Sequence, residues 1–83
     1  MITVYRCKIN YVPYHLRERK EYQKVSKFWI TGSYYMNYDE CYRMLHMQLQ
    51  SMLVAQDRVF SYYIESIIVD PDDPTVQIVD LPY

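Results

Sequence analysis

Chemistry at neutral pH draws first on histidine, cysteine and paired carboxylates, and this 83-residue chain holds two histidines, two cysteines and ten acids. A nucleophile needs a base within hydrogen-bond reach, and the base needs a third group to orient it. His15 lies in a charged stretch and His46 in the middle of a helical pattern; neither neighbours a glycine-flanked Ser or Cys turn. Cys7 and Cys41 stand far apart and read as small buried apolar residues rather than as a disulfide framework or reactive thiols. Cys-x-x-Cys and His-x-x-x-His, the compact metal-ligand spacings, do not occur. Asp70, Asp72 and Asp73 could gather about a hard cation. Pro71 and Pro74 stiffen that segment, however, and the EF-hand spacing is missing, so a solvated acidic turn is the better reading. The single glycine, Gly32, cannot build a phosphate-cradling loop. The expectation is a protein without catalytic residues, metal or cofactor, hence not an enzyme.

The residues point instead to contact. Tyr14, His15, Arg17, Arg19, Lys20, Tyr22, Lys24, Lys27 and Trp29 mix cations with aromatics in one stretch. Cations bind phosphates and aromatic faces stack unpaired bases, so nucleic acid is one expected partner. A merely solvated charged tip is the plain alternative. Eleven tyrosines cannot all enter so small a core, because each phenol needs a hydrogen-bond partner or water. Some must lie on the surface, where Tyr, Trp, Met and Arg dominate interface energies. An AT-rich genome would produce the same tyrosine load. Charge is split along the chain. Residues 1–32 carry seven cations against two acids, net +5, and residues 33–83 carry two against eight, net −6. That asymmetry suits an anionic partner, or opposes the two halves within the fold.

The elements that position these residues follow from periodicity. Residues 2–12 alternate as a strand, with Tyr5, Cys7, Ile9 and Tyr11 on one face and Val4, Arg6, Lys8 and Asn10 on the other. Pro13 ends it. Residues 14–22 form a long exposed connection. A second strand over 24–31 completes a hairpin with a basic tip. Asn37 caps a helix over 38–56, with Glu40 at capping-box spacing and Met36 and Cys41 as a hydrophobic staple. Tyr38, Cys41, Leu45, Leu49, Met52 and Leu53 make its buried stripe. Met44 and Met47 lie off that stripe, as the edge of a wide buried face or as a partner surface. Residues 58–69, apolar on both faces, read as a central strand. A turn at 70–74 leads to a last strand over 75–81, ended by Pro82 and Tyr83.

The expected fold class is therefore α+β, in the order β-β-α-β-β. A single domain spans 1–83, with a four-stranded, mainly antiparallel sheet and one helix packed on one face. A chain this short buries only roughly 60–65% of its unfolded surface. The second sheet face has no lid, and Lys27, Trp29, Tyr63 and Ile67 are its expected occupants. An uncovered aromatic face usually binds something, and another copy of the chain is the simplest binder.

The opening Tyr5-Arg6-Cys7-Lys8-Ile9, the charged connection, Lys24-Val25-Ser26, the Asp39-Glu40 helix start and Glu65-Ser66-Ile67 resemble one unit of a small family. It is an uncharacterised β-β-α-β domain of Bacteroidetes and their phages, and the likeness would cover most of residues 3–69. The chain departs from that pattern in its tyrosine load and its Pro71-Asp72-Asp73-Pro74 tail. The resemblance implies the fold and a phage or gut-bacterial origin; it implies no activity.

The functional expectation is a small binding protein, phage or mobile-element encoded, that inhibits or modulates a host protein by surface contact. A defence protein is one concrete target. The contact residues are Trp29, Tyr63, Met44, Met47 and the basic aromatic stretch. The alternatives are nucleic-acid binding through that stretch and a homodimer that sequesters a phosphate-bearing nucleotide. The start MITVYRCKIN lacks an apolar leader segment and no apolar run reaches the roughly 18 residues of a membrane helix, so a cytoplasmic protein without a membrane partner is expected.

Overall fold

Alternation over residues 2–12 builds the strand on which the whole fold hangs. The computed structural model describes residues 1–79 of the chain, and its first element is β1 (Ile2–Val12). Along one side β1 pairs antiparallel with β4 (Arg58–Val69), from Ile2↔Val69 to Val12↔Arg58. Along the other side it pairs antiparallel with β2 (Phe28–Thr31), from Tyr11↔Phe28 to Lys8↔Thr31, and then with β3 (Tyr34–Tyr35) at Tyr5↔Tyr35. β5 (Ile78–Val79) adds outside β3 in parallel. One helix, α1 (Tyr38–Ala55), covers one face. The fold is the expected α+β class, with one helix over a sheet whose long pairings are antiparallel. No helix among the described residues is long and apolar enough to cross a membrane.

The core lies between α1 and the odd-numbered face of β1. Cys7 and Ile9 of β1, Tyr35 of β3 and Cys41, Leu45 and Met52 of α1 are buried together, with Tyr5, Tyr11, Ile30, Met44, Leu49, Val59, Ile64 and Val79 packed around them. Gly32 lies close against Cys7 at the edge of this core. Its N–H donates to the Cys7 carbonyl at 2.9 Å, and a Cβ there would stand 3.0 Å from Cys7 Sγ. A side chain here would press on Cys7 Sγ, which would have to give by a few tenths of an ångström.

The second strand is shorter than the expected 24–31. Ser26 accounts for the difference: its hydroxyl donates to the Tyr11 carbonyl and accepts from the Phe28 N–H. Asn10 Nδ2 donates to the carbonyls of Ser26 and Phe28 at 3.3 and 3.1 Å. These side chains take the place of ladder bonds, so residues 24–27 hang on β1 without joining the sheet. The connection before them is not featureless, since Tyr14–Leu16 and Lys20–Tyr22 are short 3-10 turns.

β4 spans the expected residues but not in the expected place. Among the described residues it is an edge strand, and β1 is the central one. Apolar residues on both faces report two partly covered faces, not two neighbouring strands. A bulge at Phe60, where Asn10↔Ser61 is followed by Tyr11↔Val59, turns Val59 toward the helix. Among the described residues β5 begins at Ile78 rather than at 75; residues 80–83, with the end of the expected 75–81 strand, Pro82 and Tyr83, lie outside the described residues. Before it, Asp70 and Asp73 accept from the N–H groups of Asp72 and Thr75 at 3.0 and 2.9 Å, so these carboxylates hold turns.

At the start of α1, Asn37 Oδ1 accepts from the Asp39 N–H at 2.8 Å; the bond goes to Asp39, not to Glu40 as a capping box would require. Its end is a Schellman turn in which the N–H of Asp57 reaches the Met52 carbonyl and that of Gln56 the Leu53 carbonyl. Gln56 takes the left-handed conformation there, φ 61°. The buried stripe is narrower than the sequence periodicity suggests. Cys41, Leu45 and Met52 are buried, but Tyr38 is 50% and Leu53 77% exposed, because these two lie on the flank of the helix rather than beneath it.

Candidate functional site

Pairing across β1 decides which side chains share the face that α1 leaves uncovered. Arg6, Lys8 and Asn10 of β1 point there, with Trp29 and Thr31 of β2 and Tyr63, Glu65 and Ile67 of β4. The two ends of β1 on this side are closed, since Val4 and Val12 have no exposed surface. The middle is open. Trp29 is 50% and Tyr63 44% exposed, and their rings meet edge to face at 6.3 Å across Lys8 and Asn10. Ile67, expected here too, is half-buried, while Lys27 is exposed beside β2.

A polar cluster adjoins this aromatic pair. Glu65 is ion-paired to Arg6, with Lys8 Nζ at 3.9 Å from its other oxygen. Arg6 also donates to the Tyr34 hydroxyl at 2.8 Å and lies over the Tyr34 ring. Two cations of the basic first third, Arg6 and Lys8, thus meet one acid of the remainder, Glu65, across β1 and β4. The cluster is half-buried and its partners are satisfied, so it fixes strand register and gives the platform a nearly neutral, rigid border.

The basic aromatic stretch does not form one surface. Arg17 is committed to the helix end, where it donates to the Gln56 carbonyl at 3.0 Å, pairs with Glu18 and lies over the Tyr14 ring. The Tyr14 N–H donates to Asp57 at 2.9 Å. Arg19 pairs with Glu21 at 3.5 Å. Tyr22 is half-buried edge-on against Phe28 at 5.1 Å, on the helix face, so its ring holds the connection down instead of stacking a ligand. His15, Lys20, Lys24 and Lys27 are exposed and, among the described residues, form no ion pair within 4.0 Å. An open cleft of about 360 Å³ lies between the connection and the start of β4, lined by Arg17, Glu18, Gln23, Asp57 and Arg58. Its two arginines face two acids, so its charge cancels.

The two helix methionines part company. Met44 packs against the core, while Met47 is 61% exposed. Sequence reasoning missed the more pronounced feature of α1, an aromatic ridge on its other flank. Tyr38 stands edge-on to Tyr5 at 5.7 Å and stacks with Tyr42 at 6.3 Å, and Tyr42 meets the His46 ring at 4.5 Å. Their four-residue spacing was the available signal. It was obscured because Tyr38 also fits the buried stripe.

The thiols offer no nucleophile. Cys7 and Cys41 are free, buried and turned toward each other in the core. Burial, with the neighbouring Cys7 adding to it, pushes the Cys41 thiol from 9.0 up to about 11. Burial also pushes up Cys7, and burial then the adjoining thiols push up the Tyr35 phenol. At neutral pH such thiols are protonated and enclosed.

Comparison of the chain with protein-family models, with curated proteins and with solved structures finds no match.

Proposed function

We propose that the protein is a non-catalytic binding protein that works by occupying the surface of another protein. The observation that carries this reading is the Trp29–Tyr63 pair, two large half-exposed aromatics held in edge contact at the centre of an uncovered sheet face. Rigid aromatic anchors with a polar border are the usual energetic centre of a protein interface. Lys8, Thr31 and the Arg6–Glu65 cluster supply that border. The resemblance to a phage and Bacteroidetes domain adds, as its implication, a phage or gut-bacterial origin and no activity; a host protein as the partner, and its modulation as the effect, are read from the small chain and its exposed aromatic surface. The reduced, buried cysteines suit work in a reducing cytoplasm.

The test compares wild type with Trp29→Ala/Tyr63→Ala as baits in host-cell extract, followed by titration of the purified binder. Removing two central anchors should weaken affinity at least a hundredfold while leaving circular dichroism unchanged. Equal binding by both baits would remove the aromatic face from the reading.

A nucleic-acid reading keeps one observation on its side. Lys24 and Lys27 precede Trp29 in the chain, are exposed and form no ion pair among the described residues. A salt titration against labelled single-stranded RNA decides it. Binding that weakens steeply with salt and disappears on Lys20→Glu/Lys24→Glu/Lys27→Glu supports it; no binding at low salt eliminates it. A dimer holding a phosphate-bearing nucleotide has less behind it, because the arginines that would grip the phosphate are engaged by Gln56, Glu18 and Glu21.

A further inference from the structure

The side of β4 that faces away from β1 has no strand beside it among the described residues. β4 is twelve residues long, against the two to four of the other non-central strands. A long edge leaves a row of backbone N–H and C=O groups ready for another chain, and proteins ordinarily guard such edges with lysines, prolines or covering loops. Here the guard is a single bulge at Phe60. From Ser61 to Val69 there is no proline, and the one charge, Glu65, is already neutralised by Arg6.

The side chains around this edge are apolar and bare. On the helix face of β4, Tyr62 is 56% and Ile68 71% exposed. Above them stands the outer flank of α1, with Tyr42 47% and Leu53 77% exposed. That flank overlooks β4, because Glu40 on the opposite flank lies beside Tyr35 of β3. We propose that the β4 edge is a self-association surface, at which a second copy of this chain adds its own β4 antiparallel to make one continuous ten-stranded sheet.

The occupant is a second copy because the edge is complementary to itself. A two-fold axis normal to the sheet reverses strand direction and preserves faces, as antiparallel pairing requires. Even-numbered residues of β4 between Ser61 and Val69 then meet only even-numbered ones. Tyr62, Ile64 and Ile68 of both copies therefore share the helix-side face of the joined strands. A register centred on Glu65 would set the two carboxylates opposite each other, which is unfavourable. One centred on Ile64 instead opposes Tyr63 to Glu65, and Tyr62 to Ser66, of the second copy. A standard interface takes about 800 Å² from each partner, roughly an eighth of the 6231 Å² surface of this molecule. Tyr42, Leu53, Tyr62 and Ile68 are the exposed large apolar side chains that the proposal places in this contact, beside the strand backbone. This inference stands apart from the Trp29–Tyr63 platform and does not need it.

Sedimentation of the wild-type chain at rising concentration, beside Tyr62→Lys/Ile68→Lys, tests the proposal. The wild type should show twice the monomer mass of 10.2 kDa, and the variant the monomer mass with unchanged circular dichroism. A wild type that stays monomeric at millimolar concentration overturns the proposal, as does a folded variant that still dimerises. If the variant does not fold, hydrogen exchange on the wild type decides. Every second amide of residues 61–69, those pointing outward, should gain protection as concentration rises; amides that exchange equally fast at low and high concentration overturn it.

Discussion

Cys7 and Cys41 are neutral in the folded chain and free to ionise in the unfolded one. Between about pH 9 and 11 the unfolded chain gives up thiol protons that the folded chain keeps, so the folded state binds more protons across that window. Stability that is complete below pH 9 is therefore lost as pH rises through it. Urea midpoints measured at half-unit steps should fall across this window, and neither thiol should react with a thiol reagent before unfolding. Gly32 belongs to the same contact. Gly32→Ala presses a methyl against Cys7 Sγ and should cost about 1–2 kcal/mol, read from denaturant titration. Cys7→Ala in the same chain should recover part of that loss, because the two sites share one space.

Among the elements, α1 offers the clearest gain. Gln56 holds a left-handed conformation that glycine adopts without strain. Its carbonyl, which Arg17 uses, and its N–H, which closes the Schellman turn, belong to the backbone and survive substitution. Gln56→Gly should raise stability by about 0.5–1 kcal/mol and lift Tm by a few degrees. The long elements were legible in the sequence because their periodicity is unbroken: β1, α1 and β4 fall within a residue of the expected bounds. What escaped depends on partners. β2 loses residues 24–27 to Ser26 and Asn10 side chains, and a two-residue strand such as β3 has no period to read. The basic stretch is visible as composition, yet its division among Gln56, Glu18, Glu21 and Phe28 depends on contacts that no spacing encodes. Trp29 and Tyr63 were legible because alternation assigns faces without knowing neighbours.

At the scale of the whole molecule, the core is small. Six buried side chains hold α1 to the sheet, and a domain of this size has a net stability of only about 4–12 kcal/mol. Leu45→Ala, which empties the centre of that cluster, should cost about 2–4 kcal/mol. Leu53→Ala, on the bare flank, should cost under about 0.5 kcal/mol. Parallel thermal melts of the two variants check the contrast. The molecule measures 44 × 24 × 17 Å, its long axis comparable with the roughly 40 Å span of twelve extended residues such as β4. The β1–β4 ribbon is thus longer than the roughly 27 Å that an 18-residue helix spans, and what the helix cannot cover is the surface available for contact.

The position of β1 between β4 on one side and β2 and β3 on the other sets the order in which the molecule can assemble. β1, β2, β3 and the following helix can pack within the first 55 residues, whereas Arg6 must find Glu65 across 59 residues of chain. Closing so large a loop is entropically expensive and comes late. Until then the central strand has one bare side, as β4 has afterwards. The chain therefore exposes a strand edge throughout its refolding, and dilution and speed will govern its recovery from denaturant as much as the final free energy does.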